Sequence, residues 1–224
     1  MTDQRTLKPY DIEVSVTAGR DATWAAVTQP EILRQWFGWD YDGLDAEIRQ
    51  IFLDEATLLA PERMGWADGS YLEVTGGDDG STVRAVRDGK PSGDPDEYDP
   101  IAEGWKAFLV QLRFLLDQKP QSRRRTLYLT GETTGRQALG LVDGDWTRVG
   151  NRVAWTVTPD GHLAVAAGNA PLDSPEAAGM QIVVSTYGLD DAAFAACRDA
   201  YTERWAPVAD GAQVTFAGEV TSTG

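Results

Sequence analysis

The chain has 224 residues, of which 42% are hydrophobic and 25% charged, and its formal net charge is -15. That is ample apolar material for a buried core, while a field of that sign argues against nucleic acid and anionic membrane surfaces as partners. The single cysteine, Cys197, rules out an internal disulfide framework and a cysteine-based zinc cluster.

The acidity is uneven. Up to Gln118 there are 11 basic and 23 acidic residues, a net of -12, against 9 and 12 beyond it, a net of -3. A solvated surface accounts for this surplus more simply than an acidic docking face does. No apolar run approaches the roughly 18 residues that span a bilayer. The opening "MTDQRTLKPYDIEV" also lacks the apolar stretch of a signal peptide, so a soluble cytoplasmic protein is expected.

The first element is "DIEVSVT", where Ile12, Val14 and Val16 alternate with polar residues as a half-buried strand requires. "AGRDATWAAVTQPEILRQWFG" then predicts two short helices. Pro30 suits the first turn of the second, and Gly38 ends the pair. From Ala46 to Asp88 four strands are expected, in "AEIRQIFL", "ATLLA", "SYLEVTGG" and "STVRAVRD", with Pro, Gly and Asp-Gly punctuation between them.

A long helix follows, with Asp99 as N-cap and Pro100 at its first position. Ile101, Trp105, Phe108, Leu112, Leu115 and Leu116 form one apolar face. Val110 and Phe114 lie among the charges on the other side, which predicts that the back of the helix is covered by the last third of the chain. "DQKPQSRRR" reads as a boundary. Beyond it come strands in "TLYLT", "RVAWTVT", "HLAVAAG" and "MQIVVSTYG", and a short helix around Thr134 to Leu139. A closing helix from about Asp190 to Trp205 buries Phe194, Cys197, Tyr201 and Trp205.

Three of these segments carry a family resemblance. "IEVSVTAGRDATWAAVTQPEILRQWFG", "GSTVRAVRDG" and "EGWKAFLVQLRFLLD", in that order, resemble the SRPBCC superfamily in the branch related to the activator of Hsp90 ATPase. The likeness covers about residues 8 to 119. "VVSTYGLDDAAFAACRDAYTERWA" is more faintly similar to a region appended in some bacterial members. The resemblance implies an α+β helix-grip fold, a curved antiparallel sheet around a long final helix with a cavity between them. Together with the boundary at "DQKPQSRRR", this gives an expected helix-grip domain over 8-119, a linker over 120-125 and a smaller α+β region over 126-224. Because the stretch from Tyr41 to Asp88 is compact, the grip is expected to be tight and the cavity small.

Conventional catalytic and cofactor signatures are missing. His162, the one histidine, follows a Pro-Asp-Gly turn and has no second histidine to form a metal or nucleophile system with, so it reads as a turn residue. Cys197 reads as a small buried hydrophobe. "DYDGLDAE" bunches carboxylates, yet measured against an EF-hand its glycine comes fourth and its twelfth residue is Ile51, so a solvated acidic loop is preferred. "DGKPSGDPDEYDP" is either a gate over the cavity or a plain connection. Arg123 to Arg125 read as linker, and "TGGDDGS" as turn chemistry. No metal, cofactor or catalytic set is expected.

Of the eight tryptophans, Trp24, Trp36, Trp39, Trp66 and Trp105 fall in the first half. Indoles with few polar anchors suit a small hydrophobic or aromatic ligand. The expected lining is Trp36, Phe37, Trp39, Trp66, Trp105, Phe108 and Leu112, with Trp36 and Phe37 near the entrance. Non-catalytic ligand binding is the leading expectation. A protein-interaction or chaperone-cofactor module with a protein partner is the first alternative, and a homodimer is compatible with either reading. A cavity-based cyclase or hydrolase using strand residues such as Glu47, Arg49, Glu73, Arg84 and Arg87 is the second.

Overall fold

A computed structural model describes residues 8–89, 97–217 and 219–222. Among them the fold is α+β, with two antiparallel sheets and six α-helices. The first sheet contains β1 (Tyr10–Val16), β2 (Thr57–Ala60), β3 (Arg63–Gly65), β4 (Ser70–Gly77) and β5 (Gly80–Arg87), in the order β1-β5-β4-β3-β2. Alternation sets its two faces. Val14, Val83 and Val74 lie in one inward row and Ile12, Ala85 and Leu72 in the next, whereas Glu13, Arg84 and Glu73 share a row on the outer face. Outer charges pair across strands, Arg84 with Asp11 and Arg63 with Glu73.

Between β1 and β2 run α1 (Arg20–Thr28), α2 (Pro30–Leu33), α3 (Leu44–Arg49) and a π-helical turn over Gln50–Asp54. Pro30 opens α2, where its missing N–H costs nothing. "AEIRQIFL" is therefore helical, not the expected strand. Leu44, Ile48 and Phe52 are buried one helical turn apart, and that spacing overrides the strand preference of the isoleucines. Four strands do follow Tyr41, but the fourth is the short β3.

Next comes α4 (Pro100–Gln118), capped by the Asp99 carboxylate, which accepts from the Ile101 and Ala102 amides at 2.9 and 3.2 Å. Trp105, Leu109, Leu112 and Leu116 enter the core of the first sheet. Val110 and Phe114, on the opposite side, pack on Val153, Leu163, Val165 and Ala167 of the second sheet. The helix is thus the filling between two sheets, an antiparallel sheet gripping it on one side and a second sheet closing its back.

The second sheet comprises β6 (Arg124–Thr133), β7 (Thr147–Val149), β8 (Val153–Val157), β9 (Leu163–Gly168), β10 (Ala178–Tyr187), β11 (Asp210–Phe216) and β12 (Glu219–Ser222), ordered β12-β11-β6-β10-β9-β8-β7. Its far face is covered by α5 (Gly135–Leu139) and α6 (Asp191–Trp205). The capping box of Thr134 and Gln137 starts α5. β7, β11 and β12 were not anticipated. Nor was β6 expected to begin inside the stretch read as linker, with Arg124 and Arg125 as its first residues. The stretch 90–96, within the loop considered as a gate or a connection, lies outside the described residues. No described helix is long and apolar enough to cross a membrane.

Candidate functional site

A cavity of about 700 Å³ opens beside α4 and draws walls from both sheets. From the N-terminal half come Phe37, Trp39, Ile51 and Trp66, with Tyr10 and Ser70 at the ends of their strands. The helix supplies Gly104, Trp105, Ala107, Phe108 and Gln111. The second sheet supplies Tyr128, Val165, Ala167, Gln181 and Val183. Their alternation explains this: Leu127, Leu129, Ile182 and Val184 point to the α6 core, so Tyr128, Gln181 and Val183 point back to α4. The cavity is not small, contrary to expectation, because the second sheet forms a wall that the first sheet alone could not supply. Its volume lies within the range of small-molecule pockets.

Aromatic rings make the N-terminal wall. Phe37, Phe52, Trp66, Trp105 and Phe108 form a closed circuit with successive centroid separations of 5.0, 6.2, 5.9, 6.3 and 4.6 Å. All are tilted or edge-to-face, the arrangement that aromatic quadrupoles favour. The Trp66 indole is pinned by donating to the Ile51 carbonyl at 2.8 Å, one of the carbonyls left free in the last turn of the π-helix. Trp39 stands apart from this circuit, stacked on Tyr128 at 3.9 Å and 9°.

Of the seven residues expected to line the site, Phe37, Trp39, Trp66, Trp105 and Phe108 do so. Trp36 and Leu112 do not. Both are fully buried, and the Trp36 indole donates to the Ala26 carbonyl at 2.9 Å, so Trp36 anchors α1 to the end of α2 and is no part of an entrance. Sequence reasoning missed Tyr10, Gln111 and the whole second-sheet contribution.

The joint between the halves is polar. Gly38 adopts a left-handed conformation, φ +56°, turning the chain out of the Trp36-Phe37 pair. The Arg124 guanidinium, entirely enclosed, donates to the carbonyls of Phe37 at 3.1 Å and Gly38 at 2.7 Å, to Ser185 Oγ at 3.1 Å, and to the Gln111 side-chain oxygen. Burial pulls its pKa down to about 10, so it stays charged at neutral pH. Nearby, the Asp40 amide donates to Thr126 Oγ1 at 2.6 Å, and the Tyr187 hydroxyl to the Gln35 carbonyl at 3.1 Å.

No protein-family model matches the chain, and no curated protein matches it. Among solved structures, the crystal structure of DynU16, described as a protein in the dynemicin biosynthetic locus, is similar to it. The two share 17% sequence identity over 88% of this chain and 92% of that one, with a TM-score of 0.32. At that score the likeness decides neither family nor ligand.

The titratable groups of the cavity wall with a displaced pKa are held in their neutral form. Burial raises Tyr10, Tyr98 and Tyr128, the last to about 12. The Tyr128 hydroxyl donates to Gln181 Oε1 at 2.7 Å. Ser70 Oγ donates to Asp68 Oδ1 at 2.5 Å at the rim. None of Glu47, Arg49, Glu73, Arg84 and Arg87 lines the cavity. Glu47 and Arg49 lie on α3, Glu73 is paired with Arg63 and Arg84 with Asp11 on the outer face, and Arg87 is paired with Asp99 at 2.6 Å.

The carboxylates of "DYDGLDAE" are largely engaged by the protein itself. Asp40 and Asp45 pair with Arg34, and Glu47 accepts from Tyr41. Among the described residues no cluster could hold a metal ion. His162 and Cys197, distant in sequence, share a separate pocket of about 260 Å³ with Tyr201 and Arg204. There burial lowers the imidazole pKa and raises the thiol pKa, the opposite of an activated cysteine-histidine pair.

Proposed function

We propose that this chain is a non-catalytic binding protein for a small hydrophobic or aromatic molecule held between α4 and the two sheets. The observation that carries the reading is the cavity of about 700 Å³ walled by Phe37, Trp39, Trp66, Trp105 and Phe108. Such a space is large enough for a ligand of several rings, and burying those rings against it supplies about 25 cal/mol for each Å² of apolar surface removed from water. The order β1-β5-β4-β3-β2, with helices between β1 and β2 and a long helix after β5, supports the SRPBCC resemblance, whose membership is part of this proposal.

A neutral polarity-sensitive dye such as N-phenylnaphthylamine tests it, because a net charge of -15 would bias against an anionic probe. Saturable enhancement of its emission, lost when Trp105 is replaced by a charged residue in a variant that stays folded, is expected. No saturable signal from the dye, together with no change in tryptophan emission across a hydrophobic library, would sink the reading.

A further inference from the structure

Gln111 is an amide in a position that the helix pattern reserves for apolar residues. It lies between Val110 and Leu112 in α4, is 2% exposed, and lines the cavity. Its oxygen accepts from Arg124. That bond settles which way the amide points. A guanidinium carries donors only, so the oxygen must face it and the NH2 must face elsewhere. Among the described residues the NH2 has no hydrogen-bond partner, and it does not count among the fully enclosed unpaired atoms. The surface it retains is the cavity's.

Arg124 does more than orient this amide. Hydrogen bonds in series polarise one another, and an amide whose oxygen is held by a buried cation becomes a stronger donor at its nitrogen. Across the cavity, the Tyr128 hydroxyl proton is already committed to Gln181. In a lining made mostly of rings and aliphatic chains, with Glu55, Asp68, Ser70 and Gln181 as its other polar side chains, the Gln111 NH2 is therefore a fixed, polarised donor that no described residue accepts from. A bare hydrocarbon entering the cavity would leave it unpaired and strip it of water, which costs affinity.

We propose that Gln111, polarised by Arg124, selects flat aromatic ligands that carry a carbonyl oxygen conjugated to the ring over the corresponding hydrocarbons; this rests on the cavity being a ligand site. The carbonyl oxygen accepts from the Gln111 amide while the rings lie against the aromatic wall.

Fluorenone and fluorene are tricyclic molecules that differ by a carbonyl in place of a methylene, and equilibrium dialysis near neutral pH compares their affinities directly. Fluorenone is expected to bind about tenfold more tightly, the effect of one hydrogen bond to a donor that is otherwise buried unpaired. Gln111→Glu keeps the size of the side chain and its bond to Arg124 but replaces the donor with a second acceptor. In that variant the preference is expected to vanish or reverse. Equal affinities in the unaltered protein would overturn the inference and leave the apolar cavity standing, as would a preference that survives in Gln111→Glu. Failure of both compounds to bind would overturn the cavity reading and this inference with it.

Discussion

Arg124, the first residue of β6, donates to the carbonyl of Gly38 at 2.7 Å, and this contact joins the second sheet to the end of the Trp36-Phe37 segment. Two effects oppose each other there. Enclosing the charge lowers its pKa to about 10, a cost on the order of 3 kcal/mol. Removing it strands the Phe37 and Gly38 carbonyls, Ser185 Oγ and the Gln111 oxygen, at about 1–3 kcal/mol for each buried group left unpaired. The second effect is larger over four acceptors, so Arg124→Met should lower stability by about 1–9 kcal/mol, read as a shift of the urea midpoint. Arg124→Lys should recover only part of this, since one ammonium cannot reproduce the spread of a guanidinium. Unchanged stability in Arg124→Met would show that these acceptors find other donors.

Leu112 and Trp105 lie on the same helix and were expected to share a role, yet the cavity separates them. Leu112 is wholly enclosed away from the lining, whereas Trp105 faces the cavity. Leu112→Ala should cost about 2–5 kcal/mol of stability while leaving dye affinity nearly intact in the folded fraction. Trp105→Ala should weaken dye binding as well. A Leu112→Ala protein that is stable but fails to bind would move Leu112 into the site.

Trp39 stacks on Tyr128 across the junction of the two halves, at 3.9 Å and nearly parallel. A double-mutant cycle with Trp39→Ala and Tyr128→Ala should give a coupling of about 0.5–1.5 kcal/mol in unfolding free energy. Strict additivity would mean that the two rings are neighbours without mutual stabilisation.

The legible parts of this protein were those where one periodicity acts alone. The alternation of Ile12, Val14 and Val16 and the two-sided apolar pattern of α4 both translate directly into packing, Val110 and Phe114 included. "AEIRQIFL" carries two signals, isoleucine's strand preference and the helical spacing of Leu44, Ile48 and Phe52, and the second prevails because it buries all three. Composition misled at Arg124, because three adjacent arginines look solvated and only the tertiary contacts show that the middle one is enclosed. The second wall of the cavity was unreadable for a related reason. Tyr128 and Gln181 are ordinary alternating strand residues until the pairing of β6 with β10 turns them toward α4. A local signal did exist for Gln111, a glutamine within "FLVQLRFLL", where an amide amid apolar residues must have a partner or a purpose.

His162 gives the protein a predicted acid sensitivity. It is half-buried against Asp160, Asp143, Cys197, Tyr201 and Arg204, and burial lowers its pKa below the ordinary 6.5, against the opposing pull of Asp160. A histidine whose folded pKa is lowered binds fewer protons in the folded than in the unfolded state. As pH falls through 6.5 the unfolded chain takes up its proton first, and stability declines until the folded pKa has been passed. The contribution is complete above the unfolded pKa and small, because the ring is partly in water. His162→Gln should therefore lose less stability than the unaltered protein when the pH is lowered from about 7 to about 5, above the range in which ordinary carboxylates titrate. Thermal midpoints of the two proteins at both pH values measure the difference. Equal losses would mean that His162 is solvated in the folded protein and that its pocket exerts no desolvation.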